Sequence, residues 1–306
     1  MKTLFYKLIN MLAFTIAGKI PRNEDEFLLL GKMASNQNQN RERKEKILEN
    51  IQNAEFKVFS QFGDDGIIQF LVDYLDIKEK TFIEFGVEDY LESNTRFLMM
   101  NNNWEGMVMD GSEENIGKII KTGYYWKHNL LAKKLFVEQE NINEFIKENG
   151  FSGKIGLLHI DIDGNDYWIW KKINVIEPAI VIIEYNSVFD REKPWVIPYD
   201  KDFYRTKAHS TNLFWGSSIT SLCDLAEKKG YVFIGTNSAG NNAYFVKKGR
   251  EKELKSLSSH AGYTESKYRE SRNAEGKLTF IAGADRLKAI KGCEVYNTRT
   301  NKLEKI

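Results

Sequence analysis

Residues 81–111 read TFIEFGVEDYLESNTRFLMMNNNWEGMVMDG, and the alternation of apolar runs, acids and glycines there predicts strand, turn, helix, strand. The opening run, 81–85, is short and rich in aromatic and β-branched residues, as in a parallel strand buried on both faces. It closes on Glu84-Phe85-Gly86, an acid and a glycine at a tight turn. Ser93 and Asn94 predict a helix start, because their side-chain oxygens accept from first-turn amides that lack partners inside a helix. The second strand, 106–109, delivers Asp110 and Gly111 to its carboxyl end. In doubly wound sheets an acid there, roughly 20 residues beyond the glycine turn, takes the hydroxyls of a ribose.

Gly86 stands without a G-x-G-x-x-G around it, so the glycines that let backbone approach a pyrophosphate are missing. That disfavours a dinucleotide. S-adenosylmethionine keeps the adenosine and ribose but has no phosphate, so one glycine, one acid at the turn and one on the second strand suffice for it. The same turn occurs in other α/β domains, and the rest of the chain has to support the assignment.

Working outward, the fourth strand, 155–162, ends in Asp161 and Asp163 before Gly164, and the fifth, 179–183, runs into Glu184-Tyr185-Asn186. Two apolar strands ending in acids place those acids at the carboxyl edge, where open α/β sheets bind ligands. Spacing by two puts Asp161 and Asp163 on one face while the strand stays extended. A third strand is predicted at 135–137 and a closing hairpin at 231–235 and 243–246. Residues 187–215, with Trp195, Tyr199, Tyr204 and His209, form a segment long enough to be a lid. Upstream, residues 49–75 read as helical behind the turn Ser60-Gln61-Phe62-Gly63, and residues 33–45 as a polar linker. The division expected is an N-terminal helix and linker (1–45), a Rossmann-like domain (46–250) and a C-terminal extension (251–306), with short strands near 278–281 and 293–296.

Lysine plus arginine number 44 against 43 acids, which leaves no basic field to gather nucleic acid. Cys223 and Cys293 match no metal or redox spacing and predict reduced thiols in a cytoplasmic chain. The apolar run 8–17 is too short to span a bilayer, which takes about 20 residues. No clean small-x-small site follows it, so residues 1–20 are expected to form an amphipathic helix on a membrane surface or on a neighbouring domain. Nothing in the sequence sets the oligomeric state.

Taken together, Phe59-Ser60-Gln61-Phe62-Gly63-Asp64-Asp65-Gly66, the turn 82–87, Ser93-Asn94-Thr95, the runs 104–111, 159–165 and 183–186, and Gly216-Ser217-Ser218 with Gly230-Tyr231 resemble the FkbM-type methyltransferases of the class I S-adenosylmethionine enzymes. The resemblance implies a doubly wound, seven-stranded, mostly parallel sheet whose last strand is antiparallel. It also implies that Glu84 and Gly86 hold the methionine end of the cofactor and Asp110 its ribose, with Asn94 and Gly111 beside them. The acids of strands four and five would then face the acceptor, a hydroxyl of a glycan or small molecule.

Alternatives stay open residue by residue. Asp161 and Asp163 read as catalytic acids, as a D-x-D metal site of a nucleotide-sugar glycosyltransferase, or as acids capping the next helix and its turn. Asp161, Glu184 and Asn186 would make an oxygen-rich divalent-metal site, against which stands a loop-ordering hydrogen bond. His209 is a base brought in by the lid, or an ordinary exposed histidine. His159 reads as a hydrogen-bonded core histidine, and Asp64 and Asp65 as acids complementing a helix dipole. A scaffold without chemistry is the remaining alternative.

Overall fold

The central sheet orders its strands β3-β2-β1-β4-β5-β8-β7. In chain order these are β1 (Thr81–Phe85), β2 (Glu105–Asp110), β3 (Leu130–Lys134), β4 (Gly153–Ile160), β5 (Ile176–Glu184), β7 (Tyr231–Thr236) and β8 (Asn242–Lys247), with the two-residue β6 (Trp195–Val196) lying outside this sheet. The first five pair in parallel, and β8 runs antiparallel between β5 and β7. This is the seven-stranded, mostly parallel α/β sheet with an antiparallel last strand. The structure, a computed structural model, describes residues 24–268 and 270–306. The segment 1–20 lies outside them.

Strict alternation along the strands fills both faces of the sheet. Phe82, Val108, Leu157, Ile180 and Tyr244 pack to one side with the helix Asp64–Tyr74. Ile83, Met107, Leu158, Val181 and Phe245 pack to the other with the helices Asp166–Lys172 and Ile219–Lys229. Double burial explains why the strands are continuous apolar runs. β1 lies where the strand order reverses, with β2 on one side and β4 on the other, and there a crevice opens at the carboxyl ends.

Several local expectations need correction. Residues 33–45 are not a linker but belong to the helices Glu24–Asn38 and Arg41–Glu49. Ion pairs four residues apart, Arg41–Glu45 and Lys46–Glu42, support the second, and the buried Asn38 amide ties the first to Ala54 O at 2.8 Å. Between residues 49 and 75 only Asp64–Tyr74 is α-helical, after a 3₁₀ turn at Ile51–Ala54. The third strand is Leu130–Lys134, which frees residues 135–137 to line the crevice. Strand β4 ends at Ile160, and Asp163 turns into the left-handed region at φ 56°, so Asp161 and Asp163 do not share a strand face. Ser93 and Asn94 do not cap a helix: the helix Arg96–Asn102 starts from Thr95 with no side-chain cap.

Residues 187–215, expected as a lid, pack against the C-terminal residues. β6 pairs with β9 (Glu294–Asn297), which pairs with β10 (Lys302–Lys305), over a core of Phe189, Trp195, Ile197, Leu213, Ile290 and Val295. Residues 278–281 make no strand, only a bridge from Leu278 to Arg272. Among the described residues no helix is long and apolar enough to cross a membrane.

The ends of β1 and β4 approach so closely that only glycine fits between them. At Gly86 φ is +71°, and a Cβ there would lie 1.6 Å from Asp161 O. Gly86→Ala is therefore expected to lower unfolding free energy by about 2 kcal/mol or more, from left-handed strain plus a forced backbone shift. Denaturant unfolding checks this, and an unchanged midpoint would contradict the packing of these two strand ends.

Candidate active site

The crevice floor is built on Glu84, which is 2% exposed at the end of β1. Burying a carboxylate is costly unless protein donors replace its water. Oε1 accepts from Asn94 N at 2.9 Å and faces His159 Nδ1 at 2.9 Å. Oε2 accepts from Ser93 Oγ at 2.7 Å, Thr95 N at 3.2 Å and Thr95 Oγ1. Ser93 and Asn94 thus fold onto an acid nine and ten residues upstream instead of capping a helix. The Asn94 amide reaches His159 Nε2 at 3.0 Å, which leaves Nδ1 to donate to Glu84. Burial raises the Glu84 pKa, yet the pairing with His159 and the hydroxyl donors Thr95 and Ser93 together outweigh it and the net shift is downward. Burial alone would lower His159, but the same pairing with Glu84 holds it above its ordinary value.

At the end of β2, Asp110 Oδ2 accepts from Glu88 N at 2.9 Å, and Oδ1 from Ser112 N at 2.8 Å and Asn115 Nδ2 at 3.1 Å. It thereby ties the first βα turn to the second. Asp110 and Gly111 line a cavity of about 670 Å³, within the range of small-molecule sites, together with Glu84, Gly86 and Asn94. Leu135, Phe136 and Val137 form an apolar wall at this end.

The other end of the same cavity is acidic. Asp161, Asp163, Glu184 and Glu270 line it, with Arg205 among them. Asp161 is half-buried just beyond β4; burial, then the charge of Asp163, pushes its carboxyl up to about 6. Glu184, 6% exposed at the end of β5, is pushed well above the usual range by burial and then by Asp161. Its Oε2 is buried without a hydrogen-bond partner among the described residues.

Two residues given no role from sequence organise this end. Asp166 accepts from Ile162 N at 2.8 Å and Gly164 N at 2.9 Å, so it, and not Asp161 or Asp163, fastens the turn. Burial, then Asp161, pushes its pKa up to about 7. Its place at the first position of a helix after a glycine turn was the available signal. Arg205 donates to Asp163 Oδ1 at 2.8 Å, Glu270 Oε2 at 3.3 Å and Asn212 O at 3.1 Å, and stacks 4.6 Å over Trp215. One cation thus joins the β4 turn, the lid and the C-terminal extension, a contact between segments remote in sequence.

Other expectations are not met by the geometry. His209 bonds Thr211 Oγ1 at 2.8 Å and does not line the cavity. Asn186 donates to Leu213 O and Trp215 O, both at 2.9 Å, and accepts from Val188 N at 3.0 Å, so its amide orders residues 187–215, and it does not line the cavity with Asp161 and Glu184. Among the described residues no group of three or more His, Cys, Asp or Glu is arranged to hold a metal ion. Asp64 does more than complement a helix dipole: it is buried and accepts from Asn237 and Asn242 at 3.1 Å and from Tyr244, tying the helix to the β7–β8 hairpin. Asp65 Oδ2 gathers the amides of Val58, Phe59 and Ser60 at 2.7 to 2.8 Å.

No protein-family model and no curated protein matches the sequence. Solved structures to which the chain is similar include an O-methyltransferase from Bacillus cereus in complex with SAH, at 13% identity and TM-score 0.41, covering 73% of this chain and 100% of that one. An SAH-bound methyltransferase from Podospora anserina aligns at 11% identity and TM-score 0.41, covering 79% and 96%. An S-adenosylmethionine-dependent methyltransferase from Clostridium acetobutylicum aligns at 9% and 0.38, covering 61% and 91%.

The buried acids give stability a definite pH dependence. Asp65 and Asp161 are raised from 3.8 to about 6 and Asp166 to about 7, so folding holds their protons more tightly than the unfolded chain does. Stability from these groups is full below about pH 4 and is lost as pH rises through those values. His159, raised from 6.5, adds a loss above that pH, whereas Glu84, lowered from 4.5, loses its contribution only below that window. Denaturant midpoints are therefore expected to fall between about pH 5 and about pH 7, with Asp166→Asn flattening the fall. A flat or rising profile would contradict these environments.

Proposed function

We propose that the chain transfers a methyl group from S-adenosylmethionine to a hydroxyl of a glycan or other small molecule. The observation that carries this is one cavity with two chemically different ends: a half-exposed acid beside an apolar wall over β1 and β2, and two carboxyls with raised pKa over β4 and β5.

The residues present fit the cofactor. Gly86 N is used by Met109 O, so the first turn offers no nest of free amides for a phosphate. Asp110 Oδ2 carries one protein donor, which leaves a lone pair for a ribose hydroxyl. Leu135, Phe136 and Val137 offer apolar surface to a purine, and the acidic wall complements a sulfonium and an ammonium. Glu84 departs from the role that the resemblance implies: its oxygens are occupied by protein donors, so it shapes the site through Ser93, Asn94 and Thr95.

Bound there, S-adenosylmethionine supplies a methyl group activated by positive sulfur. The chain then has to align an acceptor hydroxyl, take its proton and exclude water. Asp161, raised towards neutrality and open to the cavity, is the proton acceptor. Glu184, pushed well above its ordinary range by burial, lowers Asp161 by hydrogen bonding. The Arg205 bridge holds the lid over both. A metal-dependent glycosyltransferase is less well supported, because Asp163 is engaged by Arg205.

Asp161→Asn keeps shape and hydrogen-bonding capacity while removing the base. S-adenosylhomocysteine release against a panel of mono- and disaccharides is expected to fall by about 10² to 10⁴ fold, with affinity for S-adenosylhomocysteine little changed. Loss of that affinity in a folded variant would place the adenosine over β4 and overturn the division of the cavity.

A further inference from the structure

The helix Glu24–Asn38 is fixed to the body by one face only. Gly31 packs so closely that a Cβ would lie 2.6 Å from both Phe97 and Val58, and Ser35 and Asn38 are buried beside it. Glu24 pairs at 2.6 Å with Arg96, which is itself held 4.2 and 4.5 Å from the Phe59 and Tyr124 rings. These contacts set the rotation of the helix. The opposite face then presents Leu29 and Leu30, each 59% exposed, and Met33, 54% exposed, with Phe27 on its flank. Neighbouring large apolar side chains on one outward face mark a surface that meets an apolar partner.

The chain that leads into this helix says which partner. Residues 3–20 are dominated by aliphatic and aromatic side chains, and Lys2, Lys7, Lys19 and Arg22 are the charges before Glu24, with no acid among them. Apolar bulk with cations only is the composition that inserts into a headgroup layer and is drawn to anionic lipid. The first-turn acids Asp25 and Glu26 oppose that attraction, so apolar insertion has to carry much of the binding. We infer that the outward face of Glu24–Asn38, continuous in sequence with residues 1–20, docks the protein on an anionic lipid surface. This is independent of the methyl-transfer reading.

The test is flotation of the full chain with vesicles of phosphatidylglycerol mixed into phosphatidylcholine, against phosphatidylcholine alone. The protein is expected to float with the anionic vesicles, less with the neutral ones, and less as salt rises. Leu30→Glu with Met33→Glu is expected to reduce the bound fraction about tenfold or more, since each side chain would otherwise leave water. Thermal unfolding should match wild type, and Leu30→Ser serves if the charged pair does not fold. Absence of flotation, or a folded variant that floats like wild type, would overturn the proposal. So would a wild-type dimer in lipid-free buffer that the same variant converts to monomer, because the face would then cover a second copy.

Discussion

A buried carboxylate organises the crevice end of this sheet. Glu84 has lost its water, and an unpaired charge there would cost several kcal/mol. Donors from the 93–95 loop and from His159 on β4 remove that cost together. The loop cannot move away from β1, nor β4 from the loop, without exposing the charge to an apolar interior. The cavity floor is rigid for that reason, and the close approach of Gly86 to Asp161 O keeps the neighbouring strand ends in register.

Against that saturated acid stands Glu184, also buried and left with an oxygen that no donor among the described residues reaches. Both acids are desolvated, yet their pKa values move in opposite directions, because Glu84 accepts from several donors on both oxygens while the nearest charges around Glu184 are acids. The contrast separates a structural acid from one with capacity to spare for a ligand. Asp166 and Arg205 work on the same end from behind: one holds the turn that presents Asp161, the other ties that turn to the lid and the C-terminal extension.

The sheet was legible because its strands are buried on both faces, which leaves long apolar runs ending in acids at 84, 110, 161 and 184. Those four acids do converge on one cavity. What each acid does there was less legible, since that depends on partners far away in sequence: Ser93 to Thr95 for Glu84, Arg205 and Glu270 for Asp163. A lone Ser-Asn pair reads as a helix cap unless a buried charge is known to lie opposite. Likewise His209 stayed open between a lid base and an ordinary histidine because position along a loop does not reveal which way the loop faces. Residues 33–45 read as linker because polar helices carry no apolar period, although their charges repeat at the helical spacing of four.

In the proposed function this one cavity, with Asp110 at its nucleoside end, holds an adenosyl cofactor. Titration calorimetry of S-adenosylhomocysteine into wild type and into Asp110→Ala tests it most directly. A single site is expected in wild type, weakened roughly tenfold to a hundredfold in the variant by loss of a charge-assisted hydrogen bond. No binding heat from folded wild-type protein, or equal affinity in both, would contradict it.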